Sequence, residues 1–473
     1  MAYRTTNSTR KRFAGMGQSR VDRQDVSKRT FGYGSWFVAW SFLHVLYALF
    51  MSTVYYDIQF KGYGWAVTPL VVISSLLQVS LGNALFRLPT RVPWTVFGLF
   101  LFYGYTLTSG VLANADFGRN LGNSLGWHTT CLLFYGATSL SVIQATYINE
   151  RNRDVVKWTI IVVLVLSGLV GLLQNFNVAN ARNIFVGLEK QPPGIYRPTG
   201  LTNYPSQLGF QGMLGMAMLG SPLWFRNLKW WEWLGVAFFS LVILSAQYRS
   251  MYYAGIGLCV LAFGFFIWRR DRAQSVIFSI VALCIIALPI VAFPSKFVYG
   301  LRGTQNDPAL MARQLAWKEA EPAIMLRPAT GIGPDGSLIL ATGNANSPDK
   351  YSTTVIDNLY IMVRACYGWV GVVLAGAFVV TTFLGLLMRI LLGAPAAASW
   401  AVSGILVSIS ILFFSLTGNS LVYTTVGCLA AIVFSLSSPT WREEAEQMQL
   451  TDQFVRFRVA VANGLRKLGI NIG

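Results

Sequence analysis

The chain has 473 residues, of which 54% are hydrophobic and only 12% are charged. Soluble domains average about 25% charged residues, so the composition excludes an ordinary soluble protein and indicates a chain that crosses a membrane many times. The formal net charge of +18 would suit a nucleic-acid partner. However, most Lys and Arg collect on one predicted side of the membrane, which indicates that the basicity reflects membrane topology and argues against a nucleic-acid partner.

The first 30 residues are polar and basic and show no hydrophobic periodicity. We interpret residues 1–30 as a disordered cytoplasmic arm that touches anionic membrane lipids. The first apolar run lies too far from the start, and is too long, for a cleavable signal peptide. It is therefore predicted to be a retained span.

The sequence predicts an all-α polytopic membrane protein with about 12 transmembrane helices, each needing about 20 apolar residues. Nine of these helices occupy residues 31–293 and three more follow in residues 357–437. The predicted spans are 33–54, 64–84, 92–112, 125–147, 156–175, 205–223, 231–247, 250–268, 274–293, 362–388, 396–416 and 418–437.

An even number of spans places both termini on one side of the membrane. That side collects most of the 37 Lys and Arg, so it is predicted to be cytoplasmic by the positive-inside rule. Residues 438–473 have apolar residues at helical spacing with basic residues between them, which predicts an amphipathic helix on the inner leaflet.

A long external loop is predicted over residues 294–356, and long loops are usually functional or disordered. Here Asp307 and Pro308 form a good helix start, and a Gly-rich turn, "PATGIGPDGS", follows. We therefore expect a large, partly helical and ordered periplasmic loop.

Few ionisable residues lie near a predicted span, and those that do fall on the external side. A guanidinium stays charged and binds phosphate oxygens in pairs, so a cluster of arginines suits an anionic lipid headgroup. A nearby carboxylate could act as a general base. The candidates are Arg197, Arg249, Arg313, Asp357 and Arg364.

Each candidate also has a structural alternative. An arginine can extend to the interface or pair with a neighbouring carboxylate. Asp357 could simply cap the tenth span, and Arg364, seven residues later on the same face, could form an ion pair with it. The external acidic residues show no metal-ligand spacing, and no nucleotide-binding loop is present, so neither a metal nor a cofactor is predicted.

Several short patterns resemble the O-antigen ligase and O-antigen polymerase superfamily of bacterial envelope glycosyltransferases. "RPTGLTNYP" follows its Arg-x-x-Gly-x-x-Asn-x-Pro pattern, and "SAQYR" stands where it has a Ser-rich stretch ending in Arg. The loop and the tenth span carry its Arg…Trp…Pro-x-x-Gly-x-Gly run and its Asn…Gly-x-x-Gly segment. The matching loop and tenth-span residues are Arg313, Trp317, Pro328, Gly331, Gly333, Asn358, Gly368 and Gly371.

The resemblance implies a metal-independent, inverting transferase of the bacterial inner membrane that acts on the periplasmic face. Its donor would be a glycan on undecaprenyl diphosphate, held by Arg197, Arg249 and Arg313. Asp357 would activate the acceptor hydroxyl, and Asn358 would position that hydroxyl. A chain-length regulator protein is an expected partner.

One departure favours a polymerase over a ligase. Ligases that join O-antigen to lipid A-core have a catalytic His where this chain has Asp357, and a carboxyl has a much lower pKa than imidazole. A polymerase, which joins lipid-linked repeat units, is therefore the first choice and a ligase the second. A flippase for lipid-linked oligosaccharide is a further alternative, but the sequence shows no paired broken helices in two halves.

Overall fold

The computed structural model describes residues 40, 73–77, 79–80, 94–116, 135–136, 138–147, 151–184, 196–202, 204–248, 250–255, 321, 324–333, 358–392, 395–415 and 424–438. All regular structure within these ranges is helical, which confirms the all-α prediction for this part of the chain. The number of spans and the domain boundaries stay predictions. The N-terminal arm, the amphipathic tail and most of the external loop lie outside the described residues.

The helices with defined bounds follow the predicted spans closely. In chain order they are α1 (Trp94–Asp116), α2 (Arg151–Phe176), α3 (Ala181–Ile184), α4 (Pro205–Gly220), α5 (Trp230–Ser245), α6 (Leu359–Leu392), α7 (Pro395–Ser415) and α8 (Thr424–Leu436). Two short 3₁₀ turns join this series, Val178–Asn180 before α3 and Ser221–Trp224 after α4.

Two of these helices are long and apolar enough to cross a membrane, Arg151–Phe176 and Leu359–Leu391. At 1.5 Å per residue, a 26-residue helix is about 39 Å long, which exceeds the ~30 Å hydrocarbon core of a bilayer. Helices α5 and α7 are shorter but also apolar. This part of the chain is therefore consistent with a membrane protein.

Local sequence signals set the starts of the central helices. Pro205 occupies the first turn of α4, where its missing N–H costs no helical hydrogen bond. The Glu232 carboxylate at the start of α5 accepts a hydrogen bond from the Lys229 backbone N–H at 2.8 Å. This contact forms half of a capping box.

Helix α4 lies at the centre of the described bundle, because all but one of its residues are buried. Gly209, Gly212 and Gly215 recur at every third position and face α5 and the residues that follow it. A Cβ at Gly212 would approach Ile243 to 2.7 Å. Small residues therefore bring the two backbones close, as is usual for helices packed within a membrane.

The helices alternate in direction, so their ends form two layers. What we call the motif end contains the C-terminal ends of α2, α5 and α7 and the N-terminal ends of α4 and α6. What we call the basic end contains the opposite ends, where Arg153 donates to the backbone carbonyl of Ser438 and Arg389 donates to Ser437 Oγ at 2.6 Å.

Candidate active site

Helix α6 is interrupted at Gly368, whose φ of 62° and ψ of −164° lie outside the helical region. This combination of angles is open essentially only to glycine. The interruption redirects the N–H groups of Trp369 and Val370, which would otherwise bond to carbonyls one turn earlier. An unsatisfied backbone group within a membrane costs several kcal/mol, so these groups need other partners.

The chain segment that precedes α6 supplies acceptors for both N–H groups. Trp369 N–H donates to the Pro328 carbonyl oxygen at 2.9 Å, and Val370 N–H donates to the Ala329 carbonyl oxygen at 3.1 Å. We call residues 328–333 the loop segment. Its carbonyl groups accept the hydrogen bonds that carbonyls of the preceding turn of α6 would accept in a continuous helix.

The same loop segment supplies donors for the carbonyl groups that the interruption frees. Ile332 N–H donates to the Ala365 carbonyl oxygen at 3.0 Å, and Gly333 N–H donates to that of Cys366 at 2.9 Å. Ile332 and Cys366 are buried, with exposures of 1% and 0%. Four backbone hydrogen bonds thus join the loop segment to the broken helix.

The motif glycines are explained by this contact. Gly331 and Gly333 have φ values of 75° and 82°, which suit glycine. A Cβ on Gly331 would collide with the backbone of Cys366, and a Cβ on Gly368 would collide with the Ala329 carbonyl. Two patterns that are far apart in the sequence therefore form one structural unit.

Helix α1 contacts both partners of this unit. Tyr105 OH donates to the Tyr367 carbonyl oxygen at 3.0 Å, next to the interruption. One turn later, Ser109 Oγ donates to the Thr330 carbonyl oxygen of the loop segment at 2.8 Å. The unit is therefore held by hydrogen bonds from a third element, α1.

The N-terminal end of α6 is capped by Asn358. Its Oδ1 accepts hydrogen bonds from Tyr360 N–H at 3.0 Å and Ile361 N–H at 3.3 Å, which is the usual side-chain cap. The capping role that the sequence left open for Asp357 is thus filled by its neighbour. Asp357 itself lies just outside the described residues.

Arg364 projects from the first half of α6, before the interruption. Its guanidinium lies 3.7 Å from the centroid of the Trp369 ring, within the distance of a cation–π interaction. This contact crosses the interruption and links the two halves of the helix. The ion pair with Asp357 that the sequence suggested stays a prediction.

The segment 196–202, which carries Arg197, is fixed by a side chain of α2. Gln174 Oε1 accepts hydrogen bonds from Thr199 N–H at 3.0 Å and Gly200 N–H at 2.8 Å. Ser167 Oγ accepts a third from Leu201 N–H at 3.1 Å. Because Gln174 is fully buried, these bonds replace water for the segment backbone.

Arg182 supports the same segment from α3. Its Nε and Nη2 donate to the carbonyl oxygens of Gln174 and Asn175 at 2.8 and 2.9 Å, which satisfies the C-terminal end of α2. Its guanidinium also lies 4.3 Å from the Tyr196 ring centroid. Burial raises the pKa of the Tyr196 hydroxyl, and the positive Arg182 offsets part of that shift.

Of the predicted site residues, the structure describes Arg197 and Asn358. Arg197 is partly buried and lies close enough to Tyr252 to act on its hydroxyl electrostatically. Arg249 and Arg313 lie outside the described residues, although both neighbours of Arg249 are described. Tyr248 follows the end of α5, and Ser250 begins the helical residues 250–255.

Helix α7 connects the regions that carry these predicted residues. Its Leu412 carbonyl oxygen accepts a hydrogen bond from Tyr360 OH at 3.1 Å. Two residues later, the Phe414 ring meets the Tyr248 ring edge to face, with centroids 5.8 Å apart. The start of α6 and Tyr248, which follows α5, therefore lie beside the same end of α7.

Sequence reasoning missed two groups of polar residues at this site. Gln174 and Arg182 look like ordinary residues at the end of an apolar run, and only the tertiary contacts show their role. Gln207 and Gln211, one turn apart on α4, are each 1% exposed. Within the part of the chain that the structure describes, neither amide has a hydrogen-bond partner.

The described ranges contain no group of three His, Cys, Asp or Glu side chains that could hold a metal ion. The arrangement consists of backbone clamps, neutral amides and arginines. It can orient an anionic ligand and hold a helix terminus in place.

Comparison with known proteins supports the resemblance that the motifs suggested. Residues 234–376 match the protein-family model described as O-antigen ligase. The match covers Arg249, Arg313, Asp357 and Asn358, and also the loop segment and Gly368. Arg197 lies before the matched residues. No curated protein matches the chain. The family match confirms, over residues 234–376, the resemblance of this chain to the O-antigen ligase and O-antigen polymerase superfamily.

Proposed function

We propose that this protein is a metal-independent, inverting glycosyltransferase that joins glycan repeat units carried on undecaprenyl diphosphate. It acts on the periplasmic face of the bacterial inner membrane as a polysaccharide polymerase. Both termini are cytoplasmic and the motif end is periplasmic. No cofactor takes part. The family match supports the broad class of activity, and the polymerase assignment rests on Asp357 at the position where ligases have His.

The observation that carries the proposal is the convergence of separate motifs at the motif end. Arg197 acts electrostatically on Tyr252, and the Tyr248 ring meets the Phe414 ring of α7 edge to face. Tyr360, two residues after Asn358, bonds to Leu412 of the same helix. These contacts between distant parts of the sequence support the proposal of a headgroup site at the motif end.

In the proposed mechanism, Arg197, Arg249 and Arg313 bind the diphosphate of the donor. Guanidinium groups bind phosphate oxygens bidentately and offset their charge without a metal. Because negative charge grows on the leaving diphosphate in the transition state, this binding also lowers the barrier.

Asp357 acts as the general base. Its neighbour Asn358 caps α6 and so fixes the start of the helix next to Asp357. The acceptor hydroxyl transfers its proton to the Asp357 carboxylate as its oxygen attacks the anomeric carbon. The bond from that carbon to the phosphate oxygen breaks, and undecaprenyl diphosphate leaves with the bonding electrons. Attack from the opposite face inverts the configuration of the sugar. Asn358 also contributes to the acceptor site.

The decisive experiment gives the purified protein its proposed substrate alone. Lipid-linked repeat units without lipid A-core should produce a ladder of polymers whose chains grow by one unit. A ligase would produce a glycan on lipid A-core only when that acceptor is added. Product that requires lipid A-core would overturn the polymerase assignment and support the ligase.

The role of Asp357 is tested by Asp357→Asn, which removes the charge and keeps the shape. We expect loss of glycosidic-bond formation of at least about 100-fold, typical of a lost general base, while donor binding persists. Asp349→Asn, in the predicted loop that precedes Asp357, is the control and should retain activity. Normal polymer formation by Asp357→Asn would refute the mechanism.

The flippase alternative is not favoured, because the family match is to a transferase. A chain-length regulator is a proposed partner, since a polymerase that acts alone has no means of stopping at a set length.

A further inference from the structure

The basic end carries a cluster of cations and tryptophans that the proposed reaction does not use. It is built from three parts of the chain: the start of α2, the connection before α5 with its first turn, and the start of α7. Its members are Lys157, Trp158, Arg226, Lys229, Trp231, Glu232 and Trp400. We call this the cation–tryptophan cluster.

The aromatic rings hold the two lysines in place. Lys157 Nζ lies 5.6 Å from the centroid of the Trp400 ring, and Lys229 Nζ lies 6.0 Å from that of Trp231. The rings of Trp158 and Trp231 lie 5.3 Å apart and tilted. The cluster is therefore a connected set of contacts that joins three helices.

Its charges are not balanced internally. Arg226 forms a salt bridge with Glu232 at 2.6 Å, and the Lys229 backbone N–H also bonds to that carboxylate. Among the described residues, this is the one salt bridge in the cluster. Three cations then face one buried carboxylate, a surplus of two positive charges (+3 − 1). Outside the cluster, exposed Asp154 also attracts Lys157, which leaves a surplus of at least one positive charge.

An exposed apolar stripe begins at the cluster and runs along α2 toward the motif end. The spacing of its members by three or four residues places them on one side of the helix, and each is 43% to 52% exposed. The stripe consists of Trp158, Val162, Leu166, Leu169 and Leu173. At 1.5 Å per residue it is about 22 Å long, most of one hydrocarbon core.

We propose that the cation–tryptophan cluster binds the phosphate headgroup of an anionic phospholipid, whose acyl chains lie along the apolar stripe. Lys157 and Lys229 supply charge to the phosphate, and the tryptophans hold the glycerol region at the interface, where such rings are favoured. A free phosphate would use the charges alone, whereas the stripe next to them is explained by a lipid.

This site is separate from the proposed active site. Lys157 and Gln174 are both on α2, and 17 residues of helix place them about 26 Å apart. The proposal therefore does not depend on the glycosyltransferase mechanism. It predicts a bound lipid at the opposite end of the same bundle.

The test uses the purified full-length protein in nanodiscs and native mass spectrometry. Phosphatidylglycerol should remain bound as a one-to-one adduct, and phosphatidylcholine should not. The double variant Lys157→Gln/Lys229→Gln should bind phosphatidylglycerol about 10-fold more weakly or worse, because each lysine near an anionic surface contributes to the attraction. The matched control, Lys61→Gln/Lys350→Gln, removes the same charge from predicted external segments and should retain the adduct.

Each other outcome would overturn the proposal. Equal retention of both lipids by the unmodified protein excludes an anionic headgroup site, and this comparison needs no variant. An unchanged adduct in the lysine double variant excludes the cation–tryptophan cluster. Inorganic phosphate that displaces the lipid at equal concentration excludes a contribution from the apolar stripe. A Leu166→Asn variant that keeps its thermal stability and binds the lipid as tightly as the unmodified protein excludes the same contribution.

Discussion

At the C-terminal end of α2, the side chain of Gln174 holds the backbone of the segment that carries Arg197. One oxygen accepts two buried N–H groups, so the segment depends on a single amide. On α4, Gln207 and Gln211 bury the same chemical group without a partner among the described residues. The three buried glutamines are the same residue type, but they should contribute with opposite sign to the free energy of unfolding.

Gln174→Leu should therefore destabilise the protein, and Gln211→Leu should not. Leaving two buried N–H groups without an acceptor costs about 1–3 kcal/mol each, whereas removing an amide that has no partner is neutral or stabilising. Thermal unfolding in detergent measures the difference, and Gln207→Leu is a second control. Equal losses of stability from Gln174→Leu and Gln211→Leu would contradict these assignments.

Arg197 supports a second prediction, which concerns donor binding. Arg197→Lys keeps the charge but loses the paired hydrogen bonds to a phosphate, so donor affinity should fall by about 10-fold or more. Arg197→Gln should lower it further. Binding of the lipid-linked donor to the Asp357→Asn background measures affinity without turnover. If lysine and glutamine had the same small effect, Arg197 would not be a diphosphate ligand.

Helix α6 shows why an element cannot always be inferred from its own sequence. The apolar run predicted a span over 362–388, and the helix extends over Leu359–Leu392, so its existence and position were predictable. The interruption at Gly368 was not, because a glycine within an apolar helix is usually tolerated. Only the fit of the loop segment against it, from residues 35 or more positions earlier, makes the unusual backbone favourable.

Gly368→Ala and Gly331→Ala should each destabilise the protein strongly, by about 3 kcal/mol or more. Each replaces a glycine at positive φ and drives a Cβ into backbone, and such conformations alone cost about 1–3 kcal/mol. Gly376→Ala and Gly385→Ala lie in the same helix with no atom within 4 Å of the new Cβ. These controls should be neutral or stabilising by up to about 1 kcal/mol.

The hydrogen bonds from α1 make a subtler prediction about the same unit. Tyr105→Phe and Ser109→Ala each remove one bond and should cost about 0.5–1.5 kcal/mol. Amide exchange at Ile332 and Gly333 should become faster in both variants. Thr108→Ala is the control, because Thr108 Oγ1 bonds within its own helix to Gly104 at 2.9 Å and is exposed. Unchanged exchange in the Ser109 variant would mean that α1 does not hold the loop segment.

For the whole molecule, the composition predicted a membrane protein, and the motifs predicted a resemblance that the family model matches over residues 234–376. The predicted spans 205–223, 231–247 and 396–416 became α4, α5 and α7 with ends shifted by a few residues. Which helices pack against each other could not be predicted, because the apolar runs of a single sequence do not show which spans are neighbours in space. The link from Tyr360 through α7 to Tyr248 is of this kind.

The predicted topology can be tested by labelling intact cells. Ser27→Cys in the N-terminal arm should be protected from a membrane-impermeant maleimide, and Ser347→Cys in the external loop should react. The unmodified protein controls for native cysteines, of which Cys366 is buried. Labelling of both positions from outside would mean an even number of spans between them and would exclude the predicted nine.

The union of the loop segment with α6 also limits how the protein could be re-engineered. In a loop taken from a relative with another sugar specificity, the backbone groups would be positioned to pair with that relative's own interrupted helix and not with α6. Successful exchange should therefore require that residues 328–333, the Gly368 region and the facing surface of α1 be transplanted together. Sugar specificity would then change only when the loop and the helix residues that contact it are exchanged together.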